Sequence, residues 1–376
     1  MNQNNQHTTV LVGMSGGVDS SVAAAVLVEQ GYNVIGVTIK TYRYNDVGGN
    51  IGNESSCCSL DGINDARLVC DKLGIPHYVV DFTEPFDKNV IQYFIDEYMT
   101  GRTPNPCVIC NRTIKWEEML RKADLVGAGY IATGHFAQVR KDEHTGRYVV
   151  SRGKDSNKDQ SYAMWTLTQE SLRRTIFPLG HLTKPEVREL AEKYGLRTAS
   201  KSESYEICFI PDNDYNRFLK NNVDGLEERV DGGDIIMDGE VIGRHKGFPF
   251  YTIGQRKGLG LSTPEPVYVT KIDYKNNTIE VGKNTQLMHT TLIARDVNMV
   301  KYGDLAGGRR VNAKIRYKDD GGKATAYDVG NGRVKVVFDD PRRAITPGQS
   351  IVFYEGDDVV GGAIIDEVDN NSVKRT

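Results

Sequence analysis

Two groups of residues in this chain could do chemistry. The first is Ser15-Gly16-Gly17-Val18-Asp19-Ser20-Ser21. Its glycines let the backbone turn tightly and bring N–H groups close to a ligand. Ser20 and Ser21 open the following segment as a helix, and a helix N-terminus attracts anions through its N–H groups and dipole. Asp19 could hold a magnesium ion or orient the loop. No Gly-Lys-Ser/Thr follows, so this is not a Walker-type loop. The second group is sulfur: Cys107-Val108-Ile109-Cys110, preceded by Pro104 and Pro106, and the isolated Cys208. A thiolate is both a nucleophile and a metal ligand, and a protein persulfide can carry sulfur. A Cys-x-x-Cys is also half of a structural zinc site. A second pair at similar spacing is missing, because Cys57 and Cys58 are adjacent. Cys70 lies in a helical pattern and reads as core packing.

These residues need elements to position them. Residues 8–14 read as a short buried strand, and Val22–Val28 as a helix apolar nearly all round, hence sandwiched. Strands are predicted at Val34–Ile39, His77–Phe82 and Tyr130–Thr133, with helices at Ile63–Leu73 and from Phe86 to Tyr98. Residues 41–56 are polar and glycine-rich and read as a loop. The alternation predicts a doubly wound parallel sheet, whose ligands sit at the carboxyl ends of the strands. Past residue 210 helical patterns become scarce. Short strands follow at Val311–Tyr317, Val334–Phe338, Ser350–Tyr354 and Val359–Ile365, with a hairpin turn at Gly330-Asn331-Gly332. The expected organisation is an α/β domain over 1–210, a small mixed domain over 211–281 and a C-terminal β-barrel over 282–376.

Composition limits the function. The chain has 376 residues, 39% of them hydrophobic and 26% charged, and a net charge of −3. No apolar run is long enough to span a membrane, and no export signal is visible at Met1–Thr9. Six cysteines are too few for a disulfide scaffold. The expectation is a cytoplasmic protein with reduced thiols. Net acidity excludes a wholesale nucleic-acid coat but not a local basic face. One candidate is Arg310 to Lys318, where Arg310, Lys314, Arg316 and Lys318 alternate with Val311, Ala313, Ile315 and Tyr317. On a strand this puts four cations on one face, either solvated or turned to RNA.

The Ser-Gly-Gly loop resembles that of the ATP pyrophosphatase superfamily, whose members cut ATP between its α and β phosphates and adenylate a substrate oxygen. Longer motifs narrow the choice. They are Gly13–Ser20, Gly101–Asn111, Ala132-Thr133-Gly134-His135, Lys158–Tyr162, Glu206–Pro211 and Thr252–Gly260. In this order they resemble the bacterial tRNA-specific 2-thiouridylases over nearly the whole chain. The resemblance implies an adenine nucleotide alpha hydrolase-like fold and ATP-dependent thiolation of the wobble uridine, with ATP and Mg2+ as cofactors. It implies as partners tRNAs of the Lys, Glu and Gln type and a persulfide donor, either a cysteine desulfurase or a relay protein, and no membrane.

The resemblance also assigns roles. Cys208 takes the persulfide, and Cys110 is the partner nucleophile that releases the sulfur, leaving a transient disulfide. Gly13, Met14, Ser15, Gly16, Gly17, Val18, Asp19, Ser20, Ile39 and Gly134 match ATP-binding positions. Asn105, Pro106 and Cys107 match the segment that contacts the target base. His135, Lys158, Asp159, Gln160, Arg316, Tyr317 and Gln349 match tRNA-contacting positions. Two departures stand out. Many members have aspartate at Cys107, and Glu203-Ser204 replaces the usual Asp-Ser before the persulfide cysteine. If Cys110 and Cys208 meet, Cys107 brings a third sulfur, and three thiolates with one open position suit an iron–sulfur cluster as an alternative to the persulfide route.

Overall fold

Strand β1 (Thr9–Gly13) lies at the centre of a five-stranded parallel sheet. Around it run β2 (Asn33–Lys40), β3 (His77–Asp81), β4 (Tyr130–Ala132) and β7 (Thr175–Ile176) in the order β3-β2-β1-β4-β7. Between them β5 (Ala137–Lys141) and β6 (Tyr148–Arg152) form a hairpin. The computed structural model describes residues 5–41, 60–201, 207–210 and 212–368. Cys57, Cys58, Glu203, Ser204 and nearly all of the predicted loop 41–56 lie outside the described residues.

The chain divides into two units: Met1–Ile91, Cys107–Asn213 and Asp357–Val359 in the first, and Gln92–Pro106, Asp214–Gly356 and Val360–Thr376 in the second. In the first, period-two alternation splits β1 between two layers. Val10 and Val12 join a core with α1 (Val18–Glu29), α2 (Leu60–Leu73) and the helix Lys184–Lys193. On the opposite face Gly13 approaches Met119, whose Sδ would stand 3.5 Å from a Cβ there. Helix α1 is buried almost all round, as its sequence predicts: Val18, Val22, Ala23, Ala24, Ala25 and Leu27 are all covered. Cys70 is fully buried in this core, and burial pushes its thiol pKa up to about 12, which makes it inert.

Thr83 to Met99 is helical, but Asp87–Ile91 winds as a π-helix where the sequence predicts an unbroken α-helix. Apolar spacing does not register the one-residue bulge that makes a π-turn.

The second unit holds a mixed sheet and a barrel. The sheet order is β10-β11-β8-β9, from β8 (Gly233–Met237), β9 (Glu240–His245), β10 (Tyr268–Asp273) and β11 (Thr278–Gly282). The barrel runs through β12 (Met288–Met299), β13 (Arg309–Lys314), β14 (Gly322–Gly330), β15 (Arg333–Arg343), β16 (Ser350–Glu355) and β17 (Asp358–Val368, with Val360 onward in this unit). Pairing of β12 with β17 closes it, which removes exposed sheet edges. Its inner face carries alternate apolar residues, among them Val311, Ala313, Val334, Val336, Ile351 and Phe353. The predicted Asn331-Gly332 turn joins β14 to β15 with φ +53° and +67°. Positive φ at both positions is what a two-residue hairpin loop demands.

The four-cation strand face is corrected. Strand β13 stops at Lys314, because the Asp319 carboxylate accepts from the Ile315 N–H at 2.9 Å and bends the chain. Arg310 is met by Asp339, at 2.6 Å. The acid comes from another strand, so local spacing could not reveal it.

Candidate nucleotide and thiol site

The phosphate loop follows β1 at the point where strand order reverses, with β2 on one side and β4 on the other. Ligands of such sheets bind in this crevice. Helix α1 starts after Gly17 with no side-chain cap, which suits an anion at its N-terminus. The serine hydroxyls face inward and brace the turn. Ser21 Oγ donates to Gly17 O at 2.8 Å, and the Ser15 N–H donates to Ser20 Oγ at 3.1 Å. Gly16 is at φ +71°, and a Cβ there would stand 2.1 Å from Gly62 O. Gly134, just past β4, would place a Cβ 2.7 Å from the Asp19 carbonyl carbon and the Ser20 nitrogen. The predicted residues Gly13 to Ser20 and Gly134 therefore come together, with Ile39 near the carboxyl end of neighbouring β2.

Two lysines complete this loop. Lys184 Nζ donates to Asp19 Oδ1 at 2.6 Å, with only 9% of its side chain exposed. Lys201 Nζ reaches Gly16 O at 3.2 Å and Asp65 Oδ2 at 2.8 Å. Sequence reasoning missed both. A signal for Lys184 exists: it is the first residue of a helix capped by Thr183 and Glu186, where a cation opposes the helix dipole. A residue placed against local electrostatics marks a functional position.

The sulfur residues lie in the same unit. Pro106–Cys110 is a short helix that continues as a π-helix, Asn111–Glu118. Cys107 is exposed and Cys110 buried. Beside Cys110, Asn111 Nδ2 donates to Ala163 O at 3.1 Å, while its buried Oδ1 has no hydrogen-bond partner. Cys208 is half-buried on the turn Ile207–Ile210, whose Phe209 packs edge-on against Phe86 at 5.7 Å. Among the described residues no three His, Cys, Asp or Glu side chains gather to hold a metal ion. Cys107, Cys110 and Cys208 are not disposed as a cluster site here. Asp19 fits magnesium better, since that ion takes one or two carboxylates plus substrate phosphates.

His135 donates to or accepts from Thr133 Oγ1 through Nδ1 at 2.7 Å, and its ring lies near Trp116 and Phe177. Burial, aided by Lys115, holds its pKa well below the ordinary value, so it is a neutral imidazole at pH 7. Gln160 is bonded both ways to Phe136, the neighbour of His135: the Phe136 N–H donates to its Oε1, and its own N–H donates to Phe136 O, both at 2.9 Å. Asp159 accepts from the Gly153 and Ser161 N–H groups at 3.1 and 3.0 Å. Lys158 precedes them in the same turn, where its N–H donates to Asp155 O. In the second unit, Gln349 Nε2 donates to Thr103 O at 2.8 Å and to Pro104 O at 3.2 Å, next to Asn105. Arg316 Nη1 donates to Arg343 O at 3.3 Å, and Tyr317 is exposed.

Comparisons with known proteins cover this whole arrangement. Models described as a tRNA methyl transferase HUP domain, a tRNA methyl transferase PRC-barrel domain and an aminomethyltransferase beta-barrel domain match residues 8–212, 217–283 and 289–365. The tRNA-specific 2-thiouridylase MnmA of Salinibacter ruber is 56% identical over 361 residues, which cover 96% of this chain and 94% of that one. That of Cytophaga hutchinsonii is 53% identical over 95% of this chain and 96% of its own. That of Acetivibrio thermocellus is 49% identical over 95% of this chain and 98% of its own.

Proposed function

This chain belongs to the tRNA-specific 2-thiouridylase family, and we propose on that premise that it thiolates the wobble uridine of tRNA at the 2-position, at the expense of ATP. The observation that carries the reading is the uncapped helix N-terminus at the sheet's switch point, with Lys184 and Lys201 on its loop and Cys110 and Cys208 in the same unit.

The chemistry proceeds in two stages. A uridine C2 carbonyl is a poor electrophile because its oxygen leaves badly. Attack of that oxygen on the α-phosphorus of ATP, with loss of pyrophosphate, converts it to a leaving group. The Ser15–Ser21 loop binds the phosphates through backbone N–H groups, and Lys184 keeps the Asp19 side chain oriented within that loop. Asp19 is the residue to hold magnesium, which would offset charge on the departing pyrophosphate. Sulfur then arrives on Cys208 as a persulfide. The Cys110 thiolate attacks the Cys208 sulfur and frees the terminal sulfur as hydrosulfide. Hydrosulfide adds to C2 and AMP leaves. The resulting Cys110–Cys208 disulfide takes two electrons from a thiol reductant.

Asn105, Pro106 and Cys107 meet the target base in this reading. His135, Lys158, Asp159, Gln160, Arg316, Tyr317 and Gln349 contact the tRNA. As a neutral ring, His135 contributes stacking or a hydrogen bond rather than a phosphate ion pair. The substrates are tRNAs of the Lys, Glu and Gln type, and the donor is a cysteine desulfurase or a relay protein. We take 1–210, 211–281 and 282–376 as three domains, a division limited proteolysis would test by cleavage near its two boundaries.

The descriptions of two matching models mention methyl transfer. The usual methyl donor is a sulfonium cation without phosphate, which a loop built for anions does not favour. The deciding experiment measures AMP and pyrophosphate release with and without unmodified tRNA and a persulfide donor. Release that requires tRNA, with 2-thiouridine as product, supports the reading. Methylated uridine, or no nucleotide turnover, refutes it.

A further inference from the structure

The segment Gly101–Pro106 has no strand or helix of its own before Pro106, yet its backbone is held at nearly every residue. Gly101, at φ +71°, ends the helix Gln92–Met99, and a Cβ there would stand 2.9 Å from Ile272 Cγ2. The Arg102 N–H donates to Glu97 O at 2.9 Å. Its guanidinium donates through Nε to the Glu97 carboxylate, and through Nη2 to Ile365 O and the Asp366 carboxylate, each at 3.0 Å. Glu97 is bound in turn by Arg295 at 2.8 Å, and Asp366 by Arg333 at 3.1 Å. The Thr103 N–H donates to Pro347 O at 2.9 Å. Gly348 lies so close that a Cβ would stand 2.9 Å from both Thr103 N and Thr103 O. Gln349 then donates from one amide nitrogen to two consecutive carbonyls, those of Thr103 and Pro104.

We propose that Gln349 and Arg102 are positioning residues that clamp Gly101–Pro106 so that Asn105 presents one conformation to the target base. The proposal rests on the reading that this segment meets the uridine. A loop left loose would pay its ordering entropy at every binding event and would misplace the base. The donors of the Gln349 amide point at the protein's own backbone, so its main action is on the segment rather than on the nucleic acid. Arg102 fixes the same segment one residue earlier, through Glu97, Ile365 and Asp366.

The test uses the full chain without tRNA first. Gln349→Glu keeps the size but replaces the donor with a carboxylate that repels both carbonyls. Arg102→Lys keeps the charge but loses the forked geometry, and it serves if the first variant fails to fold. Amide hydrogen exchange at Thr103 and Asn105 should quicken by about tenfold or more in either variant, because local opening becomes easier. Single-turnover thiolation should then slow by about tenfold in either variant, while in Arg102→Lys the Kd for tRNA stays within about threefold, the signature of misplacement rather than lost affinity. Unchanged exchange with a weakened Kd would overturn the proposal and make Gln349 a plain tRNA ligand. A natural-sequence enzyme that thiolates no tRNA would refute the proposed function. The exchange comparison, which needs no tRNA, would still decide whether the clamp exists.

Discussion

Residues 15–21 and residues 101–106 are both short irregular segments that must hold one shape, and they are held in different ways. The phosphate loop is braced mostly from within. Ser15 and Ser20 bond to each other, and Ser15, Ser20 and Ser21 each bond to Gly17, all within six residues of chain. Residues 101–106 are braced from far away, by Gln349, Pro347, Ile365 and Asp366. Locally braced segments carry their instructions in their own sequence. Remotely braced ones do not.

The sharpest way to break this contrast is at Lys184, a long-range element of the phosphate loop. If the loop were self-sufficient, Lys184→Met would change little. The structure argues otherwise, because a buried ammonium 2.6 Å from Asp19 is a strong charge-assisted contact. We expect Lys184→Met to lower AMP formation by about a hundredfold or more, the range for loss of one preorganised charge or donor. Thermal unfolding should shift far less, since Asp19 is one-third exposed and gains water. Pyrophosphate release under single-turnover conditions measures the first effect, and calorimetry the second.

Arg102 sharpens the other side. Arg102→Ala leaves Glu97, with 10% of its side chain exposed, to Arg295 alone. Breaking a largely buried pair costs about 3 kcal/mol. We expect that loss in denaturant unfolding of the second unit, with ATP binding unchanged.

The same division explains what could be read in advance. The parallel sheet, the sandwiched α1, the Asn331-Gly332 turn and the phosphate loop all follow from neighbours in sequence. Lys184 and Lys201 were missed because their partners lie 165 and 185 residues away. The π-helices were missed because apolar periodicity tolerates one extra residue per turn. The acid that meets Arg310 was missed because it lies on another strand.

A smaller effect concerns acid. His77 and His135 in the first unit, and His245 and His289 in the second, all have pKa values lowered by burial. The unfolded chain binds their protons more readily than the folded one, so unfolding becomes easier as pH falls. The stabilising contribution is complete above the unfolded value of about 6.5 and is lost as pH drops toward the folded values. Melting temperature should therefore fall between about pH 6.5 and 5. His135, lowered most clearly, should contribute a large part, and His135→Gln should flatten the slope in the first unit while leaving the second unit's slope as it was. Equal slopes in the variant and the natural protein would mean that His135 is already solvated.

The smallest effect is on the barrel surface, where a locally plausible pattern met a remote partner. Arg310 is paired with Asp339, and both side chains are about half exposed, at 57% and 43%. Water and salt screen such an exposed pair, so Arg310→Ala should scarcely move the unfolding midpoint. Its influence on tRNA should be equally slight, because a guanidinium already facing a carboxylate releases few counterions from RNA. Arg316 bonds to a neutral carbonyl instead, so its charge is not offset by that contact. Arg316→Ala should reduce the slope of log affinity against log salt by about one, while Arg310→Ala leaves it unchanged. Asp339→Ala provides the converse: removing the acid should raise tRNA affinity slightly and steepen the slope. Titrations of each variant at several salt concentrations measure all three. If Arg310→Ala lowers the slope as much as Arg316→Ala, then Asp339 does not shield its partner and the cations of this stretch act together on RNA.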